Sequence, residues 1–525
     1  MDSQENLQVE DPSSRPKHVV VVLLDSLNRH LLGAYGGTEF TTPNLDRFAE
    51  KSVVFENHHT GSLPCMPARH DLLVGALDFP WRPWGSVEIW EDAITFALRQ
   101  AGVTTMLVSD HPHLFECGGE NYHIDFDAWE YVRGHENDPW KTRPDPSWIG
   151  TPALPVDEPR RGHFKYQDSR TWFKSEEDFP GPQTMQAAVR WVITNAGHHE
   201  RSLLVVDEFD PHEPFDTPEP WASMYREQGD DPWMIWPPYV IDGLKNGLIT
   251  EEEGRSLRAA YGAKLSMIDH WFGKLLDAID SSPDSDETAV IICTDHGHYL
   301  GEFDVWGKPG FPIHNTLGHI PMMIRWPGIE PRREQALTTT VDIHATLCDI
   351  YEISVDHRTH GRSLVPLVKQ KVSGVRDHCL SGYWGREVQL VTLDYTYTRG
   401  SVGDGFPLSM WSNRWSTMPV HSMPHIRLPR PDQRAYLDAM PGSSVPVIRQ
   451  PFMQGDFLPF WAYGGLKNEN LLFDRNVDPG ELDNLAAVHG TVQTDIEKSL
   501  VRRMKEALLE IDAPDDVLER LGLHD

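Results

Sequence analysis

A chain of 525 residues, 39% hydrophobic and with 18 Trp and 20 Phe, is long enough for a large core and for more than one typical domain. Its formal charge of −32 argues against nucleic-acid binding, which needs a basic patch, but not against a local cluster of cations that holds an anion. The longest apolar runs, such as Val19–Leu24 and Ala289–Cys293, fall far short of the roughly 20 apolar residues a membrane helix needs, so no span is expected.

Residues 1–17 are polar and acidic with no apolar run. They read as a disordered lead-in and not as a secretory signal, so the cytoplasm is the expected location. His18–Leu24 then has the composition of a buried strand and ends in Asp25-Ser26. Ala93–Ala101 has helical spacing that Gly102 breaks, and Val103–Val108 runs into Asp110-His111-Pro112-His113. A further helical stretch, Thr184–Asn195, precedes the apolar Leu203–Val206, which leads into Asp210-Pro211-His212. Ser256–Ile279 has the spacing of a long amphipathic helix, and Ala289–Cys293 leads into Thr294-Asp295-His296-Gly297-His298.

Strands alternating with helices predict an α/β fold, a mostly parallel sheet covered on both faces. Ligands of such sheets gather at the carboxyl ends of the strands, which is where the Asp and His residues fall each time. Residues 129–182 and 211–238 break the rhythm; rich in Pro, Trp and charge, they read as ordered insertions over the site. The strand-like Val388–Thr398 and the helical Val492–Ile511 predict a smaller C-terminal α+β subdomain. The expected division is a catalytic domain over 18–370 with a subdomain over 371–525 packed on it. Five cysteines (65, 117, 293, 348 and 379) are widely spaced with no Cys-x-x-Cys pair, against a disulfide framework and against a cysteine-rich zinc site.

The sharpest motif is Cys65-Met66-Pro67-Ala68-Arg69, preceded by Gly61-Ser62-Leu63-Pro64. It matches the Cys-x-Pro-x-Arg signature of the sulfatase family. Asp25, Gly33-Ala34-Tyr35-Gly36 and Thr42-Pro43-Asn44-Leu45-Asp46 resemble that family's N-terminal block. Asp295-His296-Gly297, Leu300-Gly301-Glu302 and Trp306-Gly307-Lys308 resemble its second metal block. Ile320–Gly328, Val341–Ile343, Gly361–Leu364, Phe473-Asp474 and Asp478–Glu481 follow in family order.

The resemblance implies an alkaline-phosphatase-like fold and a nucleophile made by oxidising Cys65 to formylglycine (3-oxoalanine). That step needs a formylglycine-generating or other sulfatase-maturating enzyme as partner. A hydrated aldehyde has two hydroxyls on one carbon: one attacks sulfur, and loss of the other's proton expels sulfate and restores the aldehyde. Arg69 is implied to hold the hydrate and the charged ester oxygens. Asp25, Asp295 and His296, with the oxygen at residue 65, are the implied ligands of one divalent ion. Ser26 stands where the family often has a second acidic or amide ligand. Calcium is the expected ion for an oxygen-dominated set, and the His296 imidazole makes manganese the alternative. His212 is implied to protonate the leaving group, Lys308 to sit on the non-bridging sulfate oxygens, and His111 and His113 to replace a Lys-x-His pair. His298 and His314 are read as bystanders.

The implied reaction is hydrolysis of a small-molecule or saccharide sulfate ester to an alcohol and inorganic sulfate. A phosphonate monoester or phosphodiester hydrolase of the same fold is the first alternative, because phosphorus and sulfur oxyanions share a tetrahedral geometry. A non-catalytic binder that keeps Cys65 as a thiol is the second. The Trp-rich C-terminal region leaves room for a homo-oligomeric interface.

Overall fold

A computed structural model describes residues 15–148, 164–227, 234–413, 434–440, 444–486 and 494–524. Most of the expected lead-in and parts of both expected insertions lie outside these residues. The centre is an eight-stranded sheet built from β1 (His18–Leu24), β2 (Val53–His59), β3 (Thr104–Ser109), β4 (Ala128–Tyr131), β5 (Ser202–Glu208), β6 (Thr288–Cys293), β7 (Met322–Arg325) and β8 (Arg332–Thr339). Their order is β8-β2-β7-β6-β1-β5-β3-β4, and β7 alone runs antiparallel to its neighbours. The mostly parallel sheet expected from the sequence is therefore present.

β1 is buried along its whole length, as the centre of a doubly covered sheet must be. Its side chains alternate between two cores. Val19, Val21 and Leu23 pack on the side of α1 (Cys65–Val74), whereas Val20, Val22 and Leu24 pack on the side of the helices α2 (Pro180–Asn195) and α3 (Glu251–Asp280). α3 starts with a reciprocal capping box between Thr250 and Glu253, which satisfies donors that a helix N-terminus otherwise leaves open. α4 (Val341–Tyr351) packs beside α1.

The register of the sheet is what assembles the site. Leu24 lies level with Glu208 of β5, Leu23 with Asp207 and with Cys293 of β6, and Ser109 of β3 with Asp207. The residues that follow these strands, Asp25, Asp110-His111 and Asp295-His296, consequently leave the sheet along one edge.

The C-terminal region forms smaller sheets. One runs in the order Asn470–Asp474, Tyr395–Arg399, Val388–Val391, Cys379–Tyr383 and Ser62–Leu63. The stretch expected as one strand over 388–398 is thus two antiparallel strands joined by a tight turn. The helix expected near 492–511 is α5 (Asp495–Glu510), whose Leu500, Met504, Ala507 and Leu508 pack on this sheet. The Ser62–Leu63 strand pairs in parallel with Gly382 and Tyr383, so the C-terminal sheet grips the chain just before Cys65. Among the described residues no helix is long and apolar enough to cross a membrane. No disulfide joins any of the five cysteines.

Candidate active site

α1 carries Cys65 as its first residue, and all ten of its residues are buried. Pro67 is tolerated because N–H groups in a first helical turn have no partner within the helix. Asp71, two turns on, fixes the helix start: its carboxylate accepts from Ser62 N at 2.6 Å and from Ser62 Oγ at 2.8 Å. Burial pushes the Asp71 carboxyl up to about 8.

Four side chains converge at the edge of the sheet. Donor atoms of Asp25, Cys65, Asp295 and His296 all lie within 4.8 Å of one another, and all four residues are buried. His296 Nδ1 donates to its neighbour's carbonyl, Gly297 O, at 2.9 Å. Because a carbonyl only accepts, the tautomer is fixed, and the Nε2 lone pair faces Cys65 Sγ at 3.3 Å. Burial lowers His296 to about 4, which keeps the ring neutral, as a metal ligand must be. Asp295 Oδ1 accepts from Ser26 N at 3.0 Å and from His296 N at 2.8 Å, leaving Oδ2 for the site. Ser26 reaches this position with φ at 62°, in the left-handed region. Asp25 Oδ2 is buried without a hydrogen bond. Burial and the Asp295 carboxylate both push the Asp25 carboxyl well up. A carboxylate oxygen that faces Arg69 in an ion pair but makes no hydrogen bond, a second carboxylate beside it and an oriented imidazole suit a divalent cation. Gly297 is required here: a Cβ on it would lie 2.0 Å from Thr316 O.

Ser26, expected as a further ligand, is engaged otherwise: its Oγ donates to Asp25 Oδ1 at 2.8 Å and accepts from Lys308 Nζ at 3.1 Å. Burial works against charge on Lys308, but Glu213 and the residue-25 and residue-295 carboxylates hold its pKa above the usual value.

Arg69 is 2% exposed and braces the carboxylates. It donates to both oxygens of Asp207, at 2.8 and 2.7 Å, to Asp295 Oδ2 at 3.1 Å and to Cys65 O at 3.2 Å. Its Nη2 also lies 3.0 Å from Asp25 Oδ2. Every donor of the guanidinium therefore faces a protein acceptor. Asp207 is a member of this array that the sequence reading left out, although an Asp closing the apolar run of β5 is its signal.

The histidines surround one buried ring, Phe209. His212 stacks on it at 4.1 Å, and His111 and His135 meet it edge-on at 4.3 and 4.8 Å. His111 is fully buried with no hydrogen bond to either ring nitrogen, and its Nε2 lies 3.9 Å from Asp25 Oδ2. His212 Nδ1 donates to Glu213 O at 2.8 Å. The turn that carries His212 is tied at both ends by Lys264, whose Nζ donates to Asp210 Oδ1 at 2.6 Å and to Pro214 O at 2.7 Å. His298 is buried at this site, with Nδ1 3.9 Å from Glu213 Oε2, whereas His314 pairs with Glu481 at 3.1 Å.

His113 differs from the others. It pairs with Glu116 at 2.9 Å and with Glu136 at 3.3 Å. Burial alone would lower it, but Glu136 and Glu116 raise it to about 10. A folded-state value above the unfolded one adds stability that is complete below about pH 6.5 and is lost as pH rises through 10. His113→Gln removes the cation that both carboxylates face, so it is expected to cost roughly 3 kcal/mol near pH 6 and much less near pH 10. Denaturant unfolding of both proteins across that range checks this; a cost that does not change with pH would refute the ion-pair assignment.

Comparison with known proteins agrees with this geometry. The family model described as Sulfatase matches residues 17–353. A choline-sulfatase of Rhizobium meliloti is 28% identical over 374 residues, covering 67% of this chain and 71% of that protein. An arylsulfatase of Clostridium perfringens is 23% identical over 403 residues, covering 69% and 80%. The crystal structure of a phosphonate monoester hydrolase of Agrobacterium radiobacter superposes with a TM-score of 0.62 at 18% identity, covering 95% of each chain, which shows a shared fold. With the family model spanning well over half its length, this chain belongs to the sulfatase family, sulfuric ester hydrolases of the alkaline-phosphatase-like fold.

Proposed function

We propose that the protein hydrolyses a small-molecule or saccharide sulfate ester to an alcohol and inorganic sulfate. The nucleophile is formylglycine made from Cys65 by a maturating enzyme, and one divalent ion is held by Asp25, Asp295, His296 and the oxygen at residue 65. The observation that carries this reading is the convergence of those four residues where a Cys-x-Pro-x-Arg segment starts a helix. When present, the ion supplies Lewis acidity and the formylglycine supplies a nucleophile that releases its own product. Calcium is the ion proposed, with manganese the alternative that His296 favours.

The chain's own residues do the remaining work. Lys308 neutralises the non-bridging sulfate oxygens, where charge concentrates as sulfur is attacked. Ser26 Oγ, bonded to both Asp25 and Lys308, keeps the cation-binding and sulfate-binding groups in register. Arg69 keeps Asp25, Asp207 and Asp295 from repelling one another. His111, with no hydrogen bond to either ring nitrogen, is available to a sulfate oxygen. His212 gives a proton to the departing oxygen.

The test is to measure kcat/KM on 4-nitrophenyl sulfate, on an aryl phosphonate monoester and on an aryl phosphodiester, together with the mass of the peptide containing residue 65. The expected result is the highest value on the sulfate and formylglycine at 65. A higher value on the phosphonate would assign the second reading, which the likeness to the phosphonate monoester hydrolase supports. An unmodified thiol in fully active protein would overturn the nucleophile.

A further inference from the structure

We propose that Glu213 is the positioning residue of His212: its carboxylate, anchored by the Tyr239 hydroxyl, holds the Nδ1 side of the imidazole so that Nε2 delivers the proton to the leaving group. This rests on the sulfatase reading above.

Three observations carry it. First, the Nδ1 proton is committed to Glu213 O at 2.8 Å, which leaves Nε2 as the nitrogen that can serve a substrate. Second, Glu213 Oε2 is buried, makes no hydrogen bond and lies 3.4 Å from that same Nδ1. A buried carboxylate oxygen at this distance stabilises the imidazolium by charge and holds the ring plane, as a carboxylate behind a catalytic histidine does elsewhere. Third, the other oxygen, Oε1, accepts from the Tyr239 hydroxyl, so the carboxylate cannot rotate away. Phe209, stacked on the imidazole at an interplanar angle of 17°, closes the remaining face.

The charges around His212 give Glu213 its importance. Burial, the Lys308 ammonium, and the rings of His135 and His298 all push His212 towards its neutral form. Glu213 itself stays ionised: burial would raise it, but Lys308, His298 and the Tyr239 hydroxyl hold it below the usual range. The hydrogen bond to Glu213 O opposes these pushes, and the ionised Glu213 Oε2, 3.4 Å from Nδ1, is the anion that faces the ring on this side. In the step itself the electron pair of the breaking S–O bond stays on the departing oxygen, which takes the Nε2 proton. His212 enters the step protonated on both nitrogens; the sulfuryl group passes to the nucleophile, whose hydroxyl proton leaves to water, and His212, left neutral, takes a proton back on Nε2 from water. The Nδ1 proton remains on the Glu213 side throughout.

The experiment measures kcat and KM of the full chain, wild type, Glu213→Gln and Tyr239→Phe, on an alkyl sulfate and on 4-nitrophenyl sulfate. An alkoxide needs the proton and nitrophenolate does not, so kcat on the alkyl sulfate should fall by roughly 10- to 100-fold in Glu213→Gln, with KM little changed. The loss on the nitrophenyl ester should be several-fold smaller, and Tyr239→Phe should show the same pattern more weakly. Equal losses on both esters, or none on either, would overturn the role. Tyr239→Phe removes a single hydroxyl and keeps the test decisive should Glu213→Gln fold poorly. Wild-type protein inactive on every sulfate would instead overturn the proposed function, and this role with it.

Discussion

Cys65→Ala is expected to fold as the wild type does and to lose on the order of 10⁶-fold in turnover, the scale seen when a covalent nucleophile is removed. The change deletes one buried sulfur atom at the first position of α1 and installs the best helix former, so the helix and its Asp71–Ser62 anchor persist. It also leaves His296 Nε2, now 3.3 Å from Cys65 Sγ, without its neighbour. Cys65→Ser restores an oxygen but only one hydroxyl. It is expected to stop after a single transfer, because no second hydroxyl can expel the sulfate. Circular dichroism checks the fold and multiple-turnover assays check the chemistry. Sustained turnover by purified Cys65→Ala protein would eliminate residue 65 as the nucleophile.

Asp295→Ala is expected to abolish metal binding and, with it, activity by at least about 10³-fold. One carboxylate oxygen faces the donor cluster; the other fixes the Ser26 and His296 backbone N–H groups, so truncation removes a ligand and two braces together. It also strips Arg69 of one of its three carboxylates. A ligand that binds only the folded state adds about 2.7 kcal/mol at a hundred times its dissociation constant. Chelation should therefore lower the melting temperature of wild-type protein and leave that of the variant unmoved. Elemental analysis and melting curves, each with and without chelator and with calcium or manganese added back, measure this directly. Equal metal content in both proteins would remove Asp295 from the ligand set.

The sheet was legible because its central strands are short β-branched runs closed by polar residues, and because parallel register forces their ends level. Asp25 and Asp295-His296 could be placed at strand ends for that reason, while their role as ligands came from the resemblance to the sulfatase blocks. Less legible was α1: it is buried on every side, so no polar face marks a helical period, and its third residue is proline. β2, β7 and β8 went unassigned, and so did β4, whose residues 129–131 were read as the start of an insertion. Asp207 was missed because the apolar run of β5 was taken to end at Val206, one residue short of the carboxylate that grips Arg69. Glu213 and Tyr239 belong to a category no period can reveal. Tyr239 lies just past the Pro- and Trp-rich stretch, and only the folded loop brings its hydroxyl onto Glu213. His113, included through the resemblance, lies with its ring 5.3 Å from that of His111, but its two glutamate partners, residues 116 and 136, could not be read from sequence.

Cys65 is 4% exposed, and Leu63, two residues before it, is paired with Tyr383. Once the C-terminal sheet has docked, that thiol is almost wholly covered. On the proposed reading, conversion of residue 65 is a race run during synthesis, between the arrival of the maturating enzyme and the arrival of the last third of the chain. A thiol left unconverted when the sheet docks is covered from then on in the folded state. A purified sample would be two frozen populations of identical shape. Its specific activity would then record the fraction converted before the sheet docked, and slower expression is expected to raise that fraction.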